Sequence, residues 1–398
     1  MLVNYTILYL ILLYLGPLLE AISPIILIFA ALLREGYLIF VFILCLFKIT
    51  STCKIKNSIE NNLLELCILM ALPYIVFTNN IGKAVPTFLA FFSGPFIFCC
   101  ITNCRLSVKT KRKLDCCQFL MLSTICFLSI LLYFFQDKVV NYFPPEIFSH
   151  FYLTEVNGDG FGRLRLFGIG FHPTTTGFLF VYYIAMLIFR NRNYVLSAVN
   201  AIFWYFTNAR SALFGIPAYI FVKTKKLFQI LIVVFGIFFL VSIFRMFSDG
   251  SLHKVLDASA LVHILHLFIT GPAEMISHLT GSGLGSVSPY NTENPIIHLE
   301  SDLYLYSIQL NILNLLFYII VIFHIVFKLK RKNTRQSNFL LFIVLTFYMG
   351  CIVFPLHSLR FTSNFVWIEL AFYFAKPYEE ENDVFSHSRN LQWLKFHN

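Results

Sequence analysis

Charged residues are scarce in this chain, making up 13% of 398 residues against 58% hydrophobic ones. So little polar surface cannot cover a water-soluble globule, which excludes a soluble enzyme or binding domain. Acidic residues are the scarcer kind, 20 against 30 Lys and Arg, giving a net charge of +10. That excess falls in short clusters between apolar runs, so it reads as a topology signal and not as a nucleic-acid footprint. The amino terminus lacks a basic n-region, and residues 1–31 offer no small-x-small cleavage site before Arg34, so the first apolar segment is expected to be retained. No sequence repeat relates the two halves, which argues against a repeat-built transporter. Cysteine is plentiful, but all ten residues (Cys45, Cys53, Cys67, Cys99, Cys100, Cys104, Cys116, Cys117, Cys126 and Cys351) lie outside the two long polar stretches. Free, mostly buried thiols are expected in place of a disulfide framework.

What is present is a succession of apolar runs, each near the ~20 residues that cross a hydrocarbon core as helix. Spanning helices are expected near residues 4–30, 36–47, 63–79, 84–102, 116–136, 173–189, 194–208, 211–222, 227–244, 303–327, 338–355 and 362–375. The fold class is therefore an all-α polytopic membrane protein of about twelve spans, eleven to thirteen. Gly16-Pro17, Pro24 and Arg34-Glu35 leave open whether the first run is one kinked helix or two short ones. The clusters Lys48/Lys54/Lys56, Arg105/Lys109/Lys111/Arg112/Lys113, Arg190/Arg192, Lys223/Lys225/Lys226 and Lys328/Lys330/Arg331/Lys332/Arg335 all fall on one side. That side is expected to be the cytoplasm, with both termini there. Residues 1–375 then form a single transmembrane domain with two outer loops, 137–172 and 245–302, the second between helices nine and ten. Residues 376–398 form a polar cytoplasmic tail.

The longest polar interruption, Arg245 to Tyr306, holds His253, His263, His266, His278 and His298, the run Gly281-Ser282-Gly283-Leu284-Gly285-Ser286, and Glu300-Ser301-Asp302 before the next apolar segment. Apolar residues at helical spacing over 252–268 predict an interfacial amphipathic helix. Arg210, in the tip Thr207-Asn208-Ala209-Arg210-Ser211 between two short apolar segments, needs an anion or a structural partner there. Arg163 and Arg165, two apart before the helix opening at Pro173, suit a diphosphate, or else a lipid headgroup or a salt bridge with Asp159 or Glu155. His263 and His266 lack a third ligand at clear spacing, so no metal is expected; an acid/base histidine fits better. The glycine run lacks the Lys-Ser/Thr of a phosphate loop and is read as a tight turn. Glu300 and Asp302 either complement a helix dipole or serve the chemistry of His298.

In this order the features resemble the O-antigen polymerase (Wzy) family, related to O-antigen ligases and grouped with GT-C glycosyltransferases. The carriers are Gly162-Arg163-Leu164-Arg165 ahead of Pro173, the Asn208-Ala209-Arg210-Ser211 tip, Asp249-Gly250-Ser251 with His253, Gly281-Ser282-Gly283-Leu284-Gly285, and Glu300-Ser301-Asp302-Leu303-Tyr304. Asn311 stands where the family often has glycine, and an Arg-x15-Gly spacing is absent at Arg163, Arg165 and Arg245. The resemblance implies a bacterial inner-membrane enzyme of lipopolysaccharide biosynthesis whose active site faces the periplasm. It would transfer a growing glycan from undecaprenyl diphosphate to the non-reducing end of a new lipid-linked repeat unit. Its partners would be lipid-linked donor and acceptor, membrane lipid and a chain-length regulator protein, without metal, cofactor or nucleic acid. Arginines that stabilise the departing diphosphate would be Arg165 and Arg210, then Arg163 and Arg245. The base would be His298 or Glu300, with His253 and Asp302 as alternates. Two rivals stay open: an O-antigen ligase, and a flippase or other transporter of lipid-linked oligosaccharide, the latter disfavoured by the sparse charge within the helices.

Overall fold

The computed structural model describes residues 2–16, 19, 23–51, 58–76, 81–103, 105–106, 108–140, 166, 168–169, 173–207, 209–224, 266–286, 301–353 and 360–377. These form an all-α membrane protein. Six helical stretches among the described residues are long and apolar enough to cross a membrane. One of them, α12 (Ile312–Lys332), shows the reason: Leu313, Leu316, Ile320, Phe323 and Phe327 face outward while Leu315, Tyr318, Val321, Ile325 and Leu329 are buried. A helix apolar on both faces is stable only where its surroundings are apolar too.

Preceding it in chain order are α1 (Leu2–Tyr14), α2 (Pro24–Ser51), α3 (Ile59–Ala71), α4 (Pro73–Val76), α5 (Ile81–Thr102), α6 (Val108–Val140), α7 (Pro173–Met186), α8 (Tyr194–Phe206), α9 (Gly215–Lys223), α10 (Gly271–Ser277) and α11 (Asp302–Leu310). After α12 come α13 (Arg335–Val353) and α14 (Arg360–Phe374). A two-residue parallel bridge pairs β1 (Arg105–Leu106) with β2 (Lys376–Pro377). Local chemistry sets several boundaries. Ser58 caps α3 by accepting from Asn61 N at 3.3 Å, and Asn193 caps α8 by accepting from Leu196 N at 3.0 Å. Thr334 and Ser337 cap each other's backbone N–H at the start of α13, at 2.7 and 3.1 Å.

Many expected positions hold to within a few residues, but the run expected at 4–30 is divided between α1, ending at Tyr14, and α2, starting at Pro24, and α6 begins eight residues before the expected 116. Arg34 and Glu35 do not end a helix but lie inside α2, which runs unbroken for 28 residues. The segment expected at 303–327 is divided at Asn311 into α11 and α12. The expected segment 227–244, most of the amphipathic stretch 252–268 and the tail beyond residue 377 lie outside the described residues.

Contacts among the described residues give the bundle two chemically distinct ends. At the basic end, Lys328 Nζ donates to Glu60 Oε1 at 2.6 Å, Lys111 Nζ to the Ala375 carbonyl at 2.6 Å and Lys330 Nζ to the Phe221 carbonyl at 3.3 Å. These contacts bring the starts of α3 and α6 together with the ends of α9, α12 and α14. Arg190, in a π-helical turn (Leu187–Asn191) that closes α7, lies 3.2 Å from Glu369 and 4.2 Å above the Phe339 ring. The core between the ends is tightest where α5 meets α14. A Cβ on Gly94 would stand 2.5 Å from Trp367 Cδ1, so only glycine lets that fully buried indole lie against α5.

Candidate functional site

At the other end of the bundle lie the described parts of three sequence motifs: the glycine loop, Asp302 and the chain around Arg210. The Gly281–Ser286 loop follows α10, and its backbone enters the left-handed region at Gly281 (φ +85°) and Gly285 (φ +77°). A Cβ there would meet the Leu310 carbonyl oxygen at 2.5 Å and the Lys83 backbone at 2.8 Å, so glycine is required on both counts. Ser282 N donates to the Ile308 carbonyl (2.7 Å), Gly283 N to the Gln309 carbonyl (3.1 Å), Leu284 N to the Tyr74 carbonyl (3.0 Å) and Gly285 N to Gln309 Oε1 (2.9 Å). With those N–H groups committed to protein acceptors, the loop is a clasp and not an anion cradle. It bolts the break between α11 and α12 to α4 and the start of α5.

The break itself is Asn311, at φ 150° and ψ 167°, a conformation almost confined to glycine. Its side chain holds it there: Oδ1 accepts from Asn314 N at 2.6 Å, and Nδ2 donates to the Tyr74 hydroxyl at 2.8 Å. Tyr74 in turn donates to the Thr280 carbonyl at 2.8 Å. A clasp built this way fixes α11, whose first residue is Asp302.

Asp302 is buried, 3% exposed, and its carboxylate accepts from the Cys351 thiol near the end of α13. Ser301 Oγ donates to the Cys351 carbonyl at 3.4 Å. Below Asp302 a cavity of about 320 Å³ opens between α12 and α13, walled mainly by Ile319, Ile322, Phe323, Val326, Leu345 and Met349. In its wall, Tyr318 and Tyr348 share a hydroxyl contact of 3.0 Å and Tyr306 donates to Asn314 Oδ1 at 2.9 Å, so these phenols are satisfied by protein partners and the cavity wall stays apolar.

The Arg210 tip belongs to the same end. Arg210 opens a 3₁₀ turn (Arg210–Phe214) that packs against α13. Thr207 Oγ1 accepts from Ala209 N at 3.3 Å and donates to the Trp204 carbonyl at 2.7 Å, which fixes the chain leading into that turn. Gly177 of α7 supplies the space: a Cβ there would lie 2.4 Å from Ala209 Cβ. Leu166 N donates to the Phe206 carbonyl at 2.9 Å, placing the chain that follows Arg165 beside the tip. Thus Arg210, the residue after Arg165, Asp302 and the glycine clasp share one end, opposite the basic clusters. Arg163, Arg165, Arg245, His253, His298 and Glu300 lie outside the described residues, as does the side chain of Arg210. Among the described residues no three His, Cys, Asp or Glu side chains gather as metal ligands would.

One ionic cluster escaped the sequence reading. Arg360, the first residue of α14, reaches Glu35 with both terminal nitrogens, NH1 to Oε1 at 3.1 Å and NH2 to Oε2 at 3.4 Å, and Arg34 Nε reaches Oε1 at 2.9 Å. Phe361, the next residue, packs against Tyr14 with ring centroids 5.3 Å apart, and Tyr14 meets Thr176 of α7 at 3.3 Å, so this cluster too is at the loop end. Its signal was present in the sequence: a guanidinium inside an apolar run is costly without a partner. Arg34 was read there only as a helix boundary. Comparison with known proteins gives no match: no family model matches the sequence, and no curated protein or solved structure does.

Proposed function

We propose that this chain polymerises lipid-linked oligosaccharide repeat units in the manner of an O-antigen polymerase, at the periplasmic face of a bacterial inner membrane. In this reading about twelve spans alternate through the bilayer, both termini and the basic end lie in the cytoplasm, and the loop end is the active face. The observation that carries it is the meeting of the Arg210 tip, the chain after Arg165 and buried Asp302 at one end, above an apolar cavity of about 320 Å³ between α12 and α13. A carboxylate over an apolar slot within the spans suits a substrate whose tail is isoprenoid and whose head is a glycan diphosphate.

The chemistry is a single in-line displacement. An acceptor hydroxyl oxygen attacks the donor's anomeric carbon, the bond from that carbon to the diphosphate oxygen breaks, and its electron pair leaves with the lipid diphosphate. Arginines preorganised at the membrane boundary, Arg210 and Arg165 first, offset the charge that develops there. The hydroxyl proton passes to His298, Glu300 or Asp302.

The test is lipopolysaccharide banding in a host lacking the gene, complemented with wild type, Arg210→Ala or empty vector at matched expression. A ladder from wild type alone, with core plus one unit otherwise, supports polymerase activity. Loss of even the one-unit band in the null strain, while lipid-linked units still accumulate, assigns the chain as a ligase or flippase instead.

A further inference from the structure

Among the described residues, the Arg34–Glu35–Arg360 cluster has one more positive charge than negative. Glu35 neutralises one guanidinium, and the second sits where water is restricted: the three side chains are 22%, 32% and 17% exposed. Arg360 Nε is buried with no acceptor among the described residues.

The surface beside the cluster is apolar. Leu32, Leu33, Ile39 and Phe40 of α2 are exposed and apolar, and a cavity of about 300 Å³ follows the α1–α2 seam, walled by Tyr9, Leu33, Tyr37 and Phe40. Tyr9 links cavity and cluster: it lies within electrostatic reach of Arg360, Glu35 and Arg34, and its hydroxyl accepts from Asn364 Nδ2 at 3.2 Å. The cavity wall includes Leu33 and Gly36, which bracket Arg34 and Glu35, so two fork-shaped donors stand beside an apolar slot whose lining does not include them. Guanidinium pairs of this kind match phosphate oxygens.

We propose that Arg34 and Arg360 form a seat for a phosphate-bearing ligand, a lipid diphosphate or a free phosphate, with Glu35 as the internal counter-ion that the ligand displaces. The seat stands on its own geometry, and only the identification of its lipid as the polymerase donor or acceptor rests on the function proposed above.

The experiment is direct binding to the purified full chain in zwitterionic detergent, by calorimetry and by thermal unfolding, with farnesyl diphosphate, farnesol and inorganic pyrophosphate as probes. Farnesyl diphosphate is expected to bind and to raise the unfolding temperature, and farnesol to do neither. Arg34→Gln and Arg360→Gln should each weaken binding roughly tenfold or more, the worth of a charge-assisted hydrogen bond. Arg34→Lys and Arg360→Lys, which keep the charge, should fall between these and wild type. Glu35→Gln should tighten binding, since it removes the competing carboxylate. Equal affinity for pyrophosphate upholds the seat and assigns it to free phosphate, whereas a preference for the farnesyl compound assigns it to lipid. The proposal is overturned if neither phosphate probe binds, if both arginine variants bind as wild type does, or if Glu35→Gln weakens binding as the arginine variants do. None of these readouts involves glycan transfer, so the seat can fail while the banding ladder stands, and the converse.

Discussion

Asn311 and Tyr74 are separated by 237 residues and joined by a 2.8 Å hydrogen bond, Nδ2 to hydroxyl, that holds the one described break between two helices of the α11–α12 rod. Asn311 bears strain that glycine would not, yet caps α12 as glycine cannot. Alanine would keep the strain and lose both bonds, a loss of about 1–2 kcal/mol for the cap alone. Thermal unfolding in detergent should therefore rank wild type and Asn311→Gly together, with Asn311→Ala clearly lower. Equal values for the alanine and glycine variants would remove the argument that this backbone is held in a glycine-like conformation.

Gly177 sets the position of the Arg210 turn. A methyl group placed 2.4 Å from Ala209 Cβ forces one of two packed elements to move. Gly177→Val is expected to lose the banding ladder by at least tenfold in long-chain material while still inserting and expressing. Gly16→Ala serves as control, since nothing among the described residues lies within 4 Å of a Cβ there. A normal ladder from Gly177→Val would mean that the position of the tip does not matter to transfer.

Asp302 separates a base from a helix-dipole partner. As the group that takes the acceptor proton, its replacement by Asn should reduce polymer by roughly 10²–10⁴-fold. As a dipole complement only, the same change should cost ~1 kcal/mol of stability and leave the ladder intact. Filling the adjoining cavity by Ile322→Trp tests the tail-binding half of the proposal: polymer yield should fall and be restored by raised donor lipid. An unchanged yield would place the isoprenoid elsewhere.

Much of the architecture was legible because it follows from hydropathy and charge. The apolar runs, the clustering of Lys111, Arg190, Lys328 and Lys330 at one end, and the tight glycine turn each depend on local composition or a short pattern. The pairing of Arg360 with Glu35 depends on two helices 325 residues apart, and no local pattern encodes it. The break at Asn311 was hidden for a related reason. Its neighbours read as one apolar run, and the strain is held by Tyr74 and by its own cap, contacts that exist only in the folded bundle. Sparse charge within helices was used against a transporter, and there the sequence reading underestimated how much charge the bundle carries. Arg34, Glu35, Glu60, Arg190 and Glu369 are all helical, and each is paired.

Arg190 and Glu369 give the sharpest test of how that internal charge is tolerated. Glu369 is 2% exposed and Arg190 14%, so each is desolvated and each depends on the other at 3.2 Å. Asp115, 3.5 Å from Arg190 but about half exposed, adds little. Removing one partner strands a buried charge, and Arg190→Met alone should destabilise by about 3–5 kcal/mol. Removing both strands nothing: Arg190→Met with Glu369→Met should recover most of that loss, since apolar replacements of similar volume pack as well as the pair. The measurement is unfolding of the two single variants and the double variant in the same detergent. If the double variant is as unstable as the sum of the singles, the pair does not act as a unit. The tie between α7 and α14 would then rest on the stacking of Tyr182 against Phe365, 5.0 Å apart.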